Sequence, residues 1–151
     1  MKEVTKEDVQ FIIKELRFLD YYNKCKDDIN EQLYVVAYKL QGVSSTAIKK
    51  VVLENARNPY QNNKIELLEQ EGELMKERNR YDEAINLIQK VLETIRETSE
   101  SDYQFIYDAC VLRMTDYKIS QIHYCHKNSV WDRKVRIIKK ALKKQKSRKN
   151  V

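Results

Sequence analysis

Residues 5–41 read TKEDVQFIIKELRFLDYYNKCKDDINEQLYVVAYKLQ. Val9, Ile12, Ile13, Leu16, Leu19, Tyr22, Cys25, Ile29, Leu33, Val36 and Leu40 recur here mostly at steps of three and four. A strand would alternate at every second residue, whereas steps of three and four return to one face of an α-helix. Thr5 with Asp8 three residues on matches a capping box, Asp standing in for the usual Glu or Gln. Gly42 supplies a C-terminal stop. Such a helix is long for a globular protein, which predicts either a coiled-coil partner or a break near Cys25–Asp28.

Working outward, a second amphipathic helix is expected over about Lys64–Thr98. Its stripe begins with Ile65, Leu68, Gly72 and Met75. After the polar stretch Lys76–Arg80 it resumes at Tyr81, Ile85, Ile88, Leu92 and Ile95, an offset that reads as a stutter in the repeat. Between the two helices, Ser44-Ser45-Thr46 and Asn58-Pro59-Tyr60-Gln61-Asn62-Asn63 are turn-rich. Ala47–Leu53 suits either a short helix or an extended apolar strip. Two such helices bury both stripes by folding back on each other. Dimerisation through the same stripes is the competing solution.

Composition agrees with an all-α chain. Gly occurs twice and Pro once among 151 residues. A sandwich or barrel needs turn residues every ~8–12 positions, and phosphate or dinucleotide loops need several glycines close together. The three cysteines, Cys25, Cys110 and Cys125, form no framework, the charged N-terminus lacks a signal-peptide pattern, and no run reaches the ~18 apolar residues of a membrane span. The expected setting is a reducing cytoplasm, with no membrane partner.

Charge is unevenly placed. The chain carries a net +6. Residues 126–151 hold eleven Lys or Arg and one acid, Asp132, so this segment carries +10 and the preceding 125 residues −4. A basic end of this kind suits a polyanion, because each cation near a phosphate can release a condensed counterion. After the breaker Glu97–Asp102, three short segments follow. Tyr103–Leu112 carries Phe105, Ile106, Ala109 and Leu112. Asp116–Cys125, capped by Thr115 or Asp116, carries Ile119 and Ile122. Ser129–Lys144 carries the stripe Trp131, Val135, Ile138 and Leu142. The last two, joined by His126-Lys127-Asn128, have the layout of a helix-turn-helix, with Ile119 and Val130 apolar where the helices would pack.

Thr115-Asp116-Tyr117-Lys118-Ile119-Ser120, Ser129-Val130-Trp131 and Lys139-Lys140-Ala141-Leu142-Lys143-Lys144 carry a resemblance to region 4 of sigma factors. They more closely resemble phage late-gene transcription regulators of the RinA/ArpU/LtrC type. Upstream, Leu16-Arg17-Phe18-Leu19-Asp20-Tyr21-Tyr22 and Asn55-Ala56-Arg57-Asn58-Pro59-Tyr60 fit the same layout. The family pattern has Leu where this chain has His123, and a small residue, often Gly, where it has Tyr124. His123 is expected as a core imidazole bonded to backbone.

The resemblance implies a phage or prophage activator of late genes in the bacterial host cytoplasm. Double-stranded DNA would be bound by the second helix of the motif, and the hairpin would contact host RNA polymerase or a second copy of the chain. In that register Lys127, Asn128, Ser129, Trp131 and Asp132 stand near the start of the recognition helix and could face base edges. Arg133, Lys134, Arg136, Lys139 and Lys140 would hold phosphates. Trp131 has a competing expectation, core packing at the head of its stripe, and Asp132 another, compensation of the helix dipole. The expected division is a coiled-coil-like hairpin over 1–98 with its connector at about 43–63, a helix-turn-helix unit over 99–145 and a basic tail over 146–151.

Catalytic and metal chemistries find little footing. Cys110, His123, Cys125 and His126 lack the paired spacing of zinc ligands, since three of them crowd into four consecutive residues. Cys125 beside His126 in sequence is not a thiol with a positioned base. Glu66, Glu69, Glu71, Glu73 and Glu77 follow helix-surface spacing. No enzyme and no cofactor is expected. The reading that competes with DNA binding is a helical adaptor whose basic helix docks an acidic protein surface. Exposure of Lys127–Arg133 separates the two.

Overall fold

The computed structural model describes residues 3–44 and 59–149. Among them every regular element is helical: α1 (Lys6–Arg17), α2 (Leu19–Ser44), α3 (Pro59–Thr98), α4 (Glu100–Ile106), α5 (Asp116–His123) and α6 (Val130–Lys149). A π-helical turn, Tyr107–Val111, continues α4, and a 3-10 turn, Lys127–Ser129, leads into α6. The connector residues Ala47–Leu53 and Asn55–Asn58 lie outside the described residues. No described helix is long and apolar enough to cross a membrane.

Thr5 and Asp8 close the expected capping box. The Asp8 N–H donates to Thr5 Oγ1 at 3.2 Å and the Thr5 N–H to Asp8 Oδ2 at 3.0 Å. The first stretch does break, but at Phe18 rather than near Cys25–Asp28. The Phe18 N–H turns to the Glu15 carbonyl at 3.1 Å, a three-residue step that tightens the last turn of α1. Lys24–Asp28 holds no Gly or Pro and stays helical. Gly42 does not stop α2, which runs to Ser44, and Pro59 opens α3, a position where its missing N–H has no helical partner to lose.

The chain forms two compact units, Met1–Tyr22 with Ala84–Val151, and Asn23–Glu83. In the second, Ile29, Val36 and Leu74 are buried, with Leu33, Leu40, Leu67 and Tyr81 packed against them. Lys26 pairs with Asp82, and one turn on Arg78 Nη1 donates to Asn30 Oδ1 at 3.3 Å. Ascending α2 therefore descends α3, so the helices run antiparallel. The buried line on α3 is Leu67, Leu74 and Tyr81. Ile65, Leu68 and Met75, the expected stripe, are exposed. The sequence offers two apolar lines on this helix, and the one flanked by half-buried Glu71 and Arg78 faces α2.

The first unit has the larger core. Val9, Ile12, Ile13 and Leu16 of α1 are buried, as are Ile85, Ile88, Val91, Leu92 and Ile95 of α3. Phe105, Ile106, Ala109, Cys110 and Val111 join them, together with Ile119 and the buried face of α6. Ser99 caps α4 through the Asp102 N–H at 3.3 Å. The following turn widens, and the Leu112 N–H reaches the Tyr107 carbonyl five residues back at 2.9 Å.

Candidate nucleic-acid interface

Thr115 starts α5 by accepting the Lys118 N–H at 3.3 Å. The helix ends at Tyr124, whose backbone is left-handed at φ 52 and ψ 44, the conformation that favours glycine in a C-terminal cap. This is the position where the resembling family carries a small residue. The Tyr124 side chain is 95% exposed.

His126 supplies the cap that the sequence appeared to lack. Its Nδ1 accepts the Asn128 N–H at 3.2 Å, and its carbonyl accepts both the Ser129 N–H at 2.9 Å and the Ser129 hydroxyl at 2.7 Å. Ile119 and Val130 are both fully buried. His123 bonds a carboxylate rather than backbone: Nε2 lies 2.8 Å from Asp108 Oδ2, with the ring edge-on to Phe105. That bond ties α5 to the π turn.

The buried line of α6 is Val130, Lys134, Ile137, Ile138 and Ala141. Only Ile138 belongs to the expected stripe. Trp131 is 47% exposed, and Val135 and Leu142 are half-buried, so the helix is rotated by about one position from that reading. The cause is Lys134, whose stem fills a core position while its ammonium sits 5.9 Å from the Trp131 ring centre. A periodicity reading that admits only apolar types skips such a residue.

The candidate residues therefore separate. Lys127, Asn128, Ser129, Trp131, Asp132, Arg136, Lys139 and Lys140 are exposed. Arg133 instead lies over the Phe105 ring at 4.1 Å, with Nη2 3.8 Å from Asp102 Oδ1, and Lys134 is buried. Asp132, Arg136, Lys139 and Lys143 recur at steps of three and four on the side opposite the core. Lys143 was not singled out by the sequence reading, although its spacing from Arg136 and Lys139 already placed it there. Towards the end of α6 the cations face inward to α3. Arg148 Nη2 donates to Glu97 Oε2 at 2.7 Å, and Lys144 Nζ donates to Thr98 Oγ1 at 3.0 Å. That bond and the Arg148 charge hold the Glu97 carboxyl below its ordinary value.

Beside the exposed face, Trp131, Val135, Arg136 and Lys139 share a groove of about 440 Å³ with Thr5, Lys6, Val9 and Gln10 of α1. Burial raises the Cys110 thiol to about 11, against the opposing charges of Lys134 and Arg17. Among the described residues no three His, Cys, Asp or Glu side chains are grouped to hold a metal ion. No protein-family model, curated protein or solved structure matches the chain.

Proposed function

We propose that the chain is a transcription regulator of phage or prophage type that binds promoter DNA through a helix-turn-helix made of α5 and α6, and that it activates late genes in a bacterial host. The observation that carries this reading is the outward line Asp132, Arg136, Lys139 and Lys143, continuous with exposed Lys127, Asn128 and Ser129 at the helix start. A basic helix whose first turn carries amide, hydroxyl and carboxylate groups has the means to read base edges and to hold phosphates beyond them. Host RNA polymerase and a second copy of the chain are the protein partners of this reading.

Footprinting of the full chain on DNA from the genome that encodes it tests the proposal. A protected site that survives excess random duplex supports it. Absence of duplex binding even at low salt overturns it. It would favour the adaptor reading, for which the groove lined by Val9, Trp131 and Val135 and edged by Lys6, Arg136 and Lys139 offers a seat for an acidic, partly apolar helix.

A further inference from the structure

The α3 segment of the Asn23–Glu83 unit carries a second apolar line that the unit leaves uncovered. Ile65, Leu68 and Met75 are 54%, 48% and 43% exposed. Gly72 has nothing within 4 Å of where a Cβ would stand, and Asn79 is exposed. These five residues follow one another at steps of three, four, three and four, the a and d positions of a heptad repeat.

The charges beside this line say what fits it. With Ile65 at a, the g positions are Lys64, Glu71 and Arg78, and the e positions are Glu69, Lys76 and Glu83. In a parallel, in-register pair, each g residue meets the e residue of the next heptad on the other helix. The pairs are then Lys64 with Glu69, Glu71 with Lys76 and Arg78 with Glu83, every one of opposite sign. An antiparallel pair centred on Gly72 brings g to g instead, setting Lys64 against Arg78 and Glu71 against its own copy. Among the described residues none of these six side chains has an ion-pair partner within the chain.

Asn79 adds an independent pointer. A single Asn at an a position favours a specific register and oligomer state, because its amide is satisfied only by an equivalent amide opposite. Gly72, one heptad earlier, lets the two backbones approach closely. The helix already exists within the unit, so association of so short a seam does not have to nucleate it.

We propose that a second copy of this chain docks along Ile65–Asn79, parallel and in register, giving a homodimer held by the outer face of α3. This deepens the regulator reading by naming the surface of its second copy. It requires no DNA to be tested, so the two can fail separately.

Sedimentation velocity on the full chain, in buffer without nucleic acid, should show reversible dimerisation between about 1 µM and 1 mM, the range of −8 to −4 kcal/mol. The double variant Leu68→Glu with Met75→Glu should be monomeric throughout with unchanged helical circular dichroism. Glu71→Lys or Lys76→Glu alone should weaken association several-fold, and Glu71→Lys with Lys76→Glu together should restore it. A wild-type monomer over the whole range overturns the proposal. So does a dimer indifferent to Leu68→Glu with Met75→Glu, and failure of the paired charge swap to restore association overturns the parallel arrangement.

Discussion

Tyr124 holds a left-handed backbone with a side chain almost wholly in solvent. For a residue with a Cβ that conformation costs on the order of 1 kcal/mol, and the exposed ring has little packing to lose. Tyr124→Gly should therefore raise the unfolding free energy by up to about 1 kcal/mol, read by urea denaturation. A fall in stability would show that the ring packs. Cys110 offers a second check at this scale. It is fully buried and its thiol is held protonated, whereas Cys25 and Cys125 are half-buried. Mass spectrometry after brief alkylation at mildly alkaline pH should find Cys110 unmodified in the folded chain while the other two react, because the thiolate is the nucleophile. Glu97 gives the third. Its lowered carboxyl stabilises the fold above the unfolded-state value, and that contribution disappears as pH falls through the folded-state value. In an NMR titration, Arg148→Gln should return Glu97 towards ordinary glutamate behaviour.

Element boundaries and faces were legible to different degrees. Thr5, Ser99 and Thr115 could each be read as caps, because an Ncap oxygen is a local device with a local signature. The stop at Phe18 was not, since nothing in Leu16–Leu19 departs from helix-forming types. Faces failed where a charged residue sits inside or beside the buried line, as Lys134 does in α6 and as Glu71 and Arg78 do in α3. The placement of the candidate interface on α6 was legible from charge alone. The withdrawal of Arg133 and Lys134 from it was not, because their engagement depends on Phe105, Asp102 and Trp131 brought up by the fold. These positions divide the proposed DNA contacts into two kinds. Arg136→Ala should weaken binding to any duplex and reduce the salt slope by about one unit. Asn128→Ala should cost roughly 1–3 kcal/mol on a cognate site and little on random DNA. Anisotropy titrations at two salt concentrations on both duplexes distinguish them, and equal losses for Asn128→Ala would remove it from the base-reading group.

At the scale of the molecule, the scarcity of Gly and Pro together with the three-and-four spacing was enough for an all-helical chain. The division into two units was not legible. It follows from how α1 and the first turn of α2 join the C-terminal helices, a long-range choice that periodicity along one helix does not encode. The units differ in how much they bury. Ile29, Val36 and Leu74 are the buried cluster of Asn23–Glu83, whereas the other unit buries residues from α1, the second half of α3, and α4 to α6. Protection from hydrogen exchange follows buried apolar density. Amides of Asn23–Leu40 and Lys64–Glu83 should accordingly exchange faster than those of Ile85–Ile95 in dilute protein, by mass-spectrometric exchange. Leu16→Ala, in the denser core, should cost about 2–5 kcal/mol in thermal or urea unfolding.

The π turn at Tyr107–Val111 has a consequence for how this chain would align with any relative. A widened turn accommodates one residue more than an α-helix would place between the same ends. Deleting Ala109 would restore a regular helix at the cost of turning all that follows by about 100°. The His123–Asp108 bond and the burial of Cys110 and Val111 depend on that phase. A relative that lacks the extra residue should therefore align with a one-residue gap here, and should also have lost the partnership of His123 with Asp108.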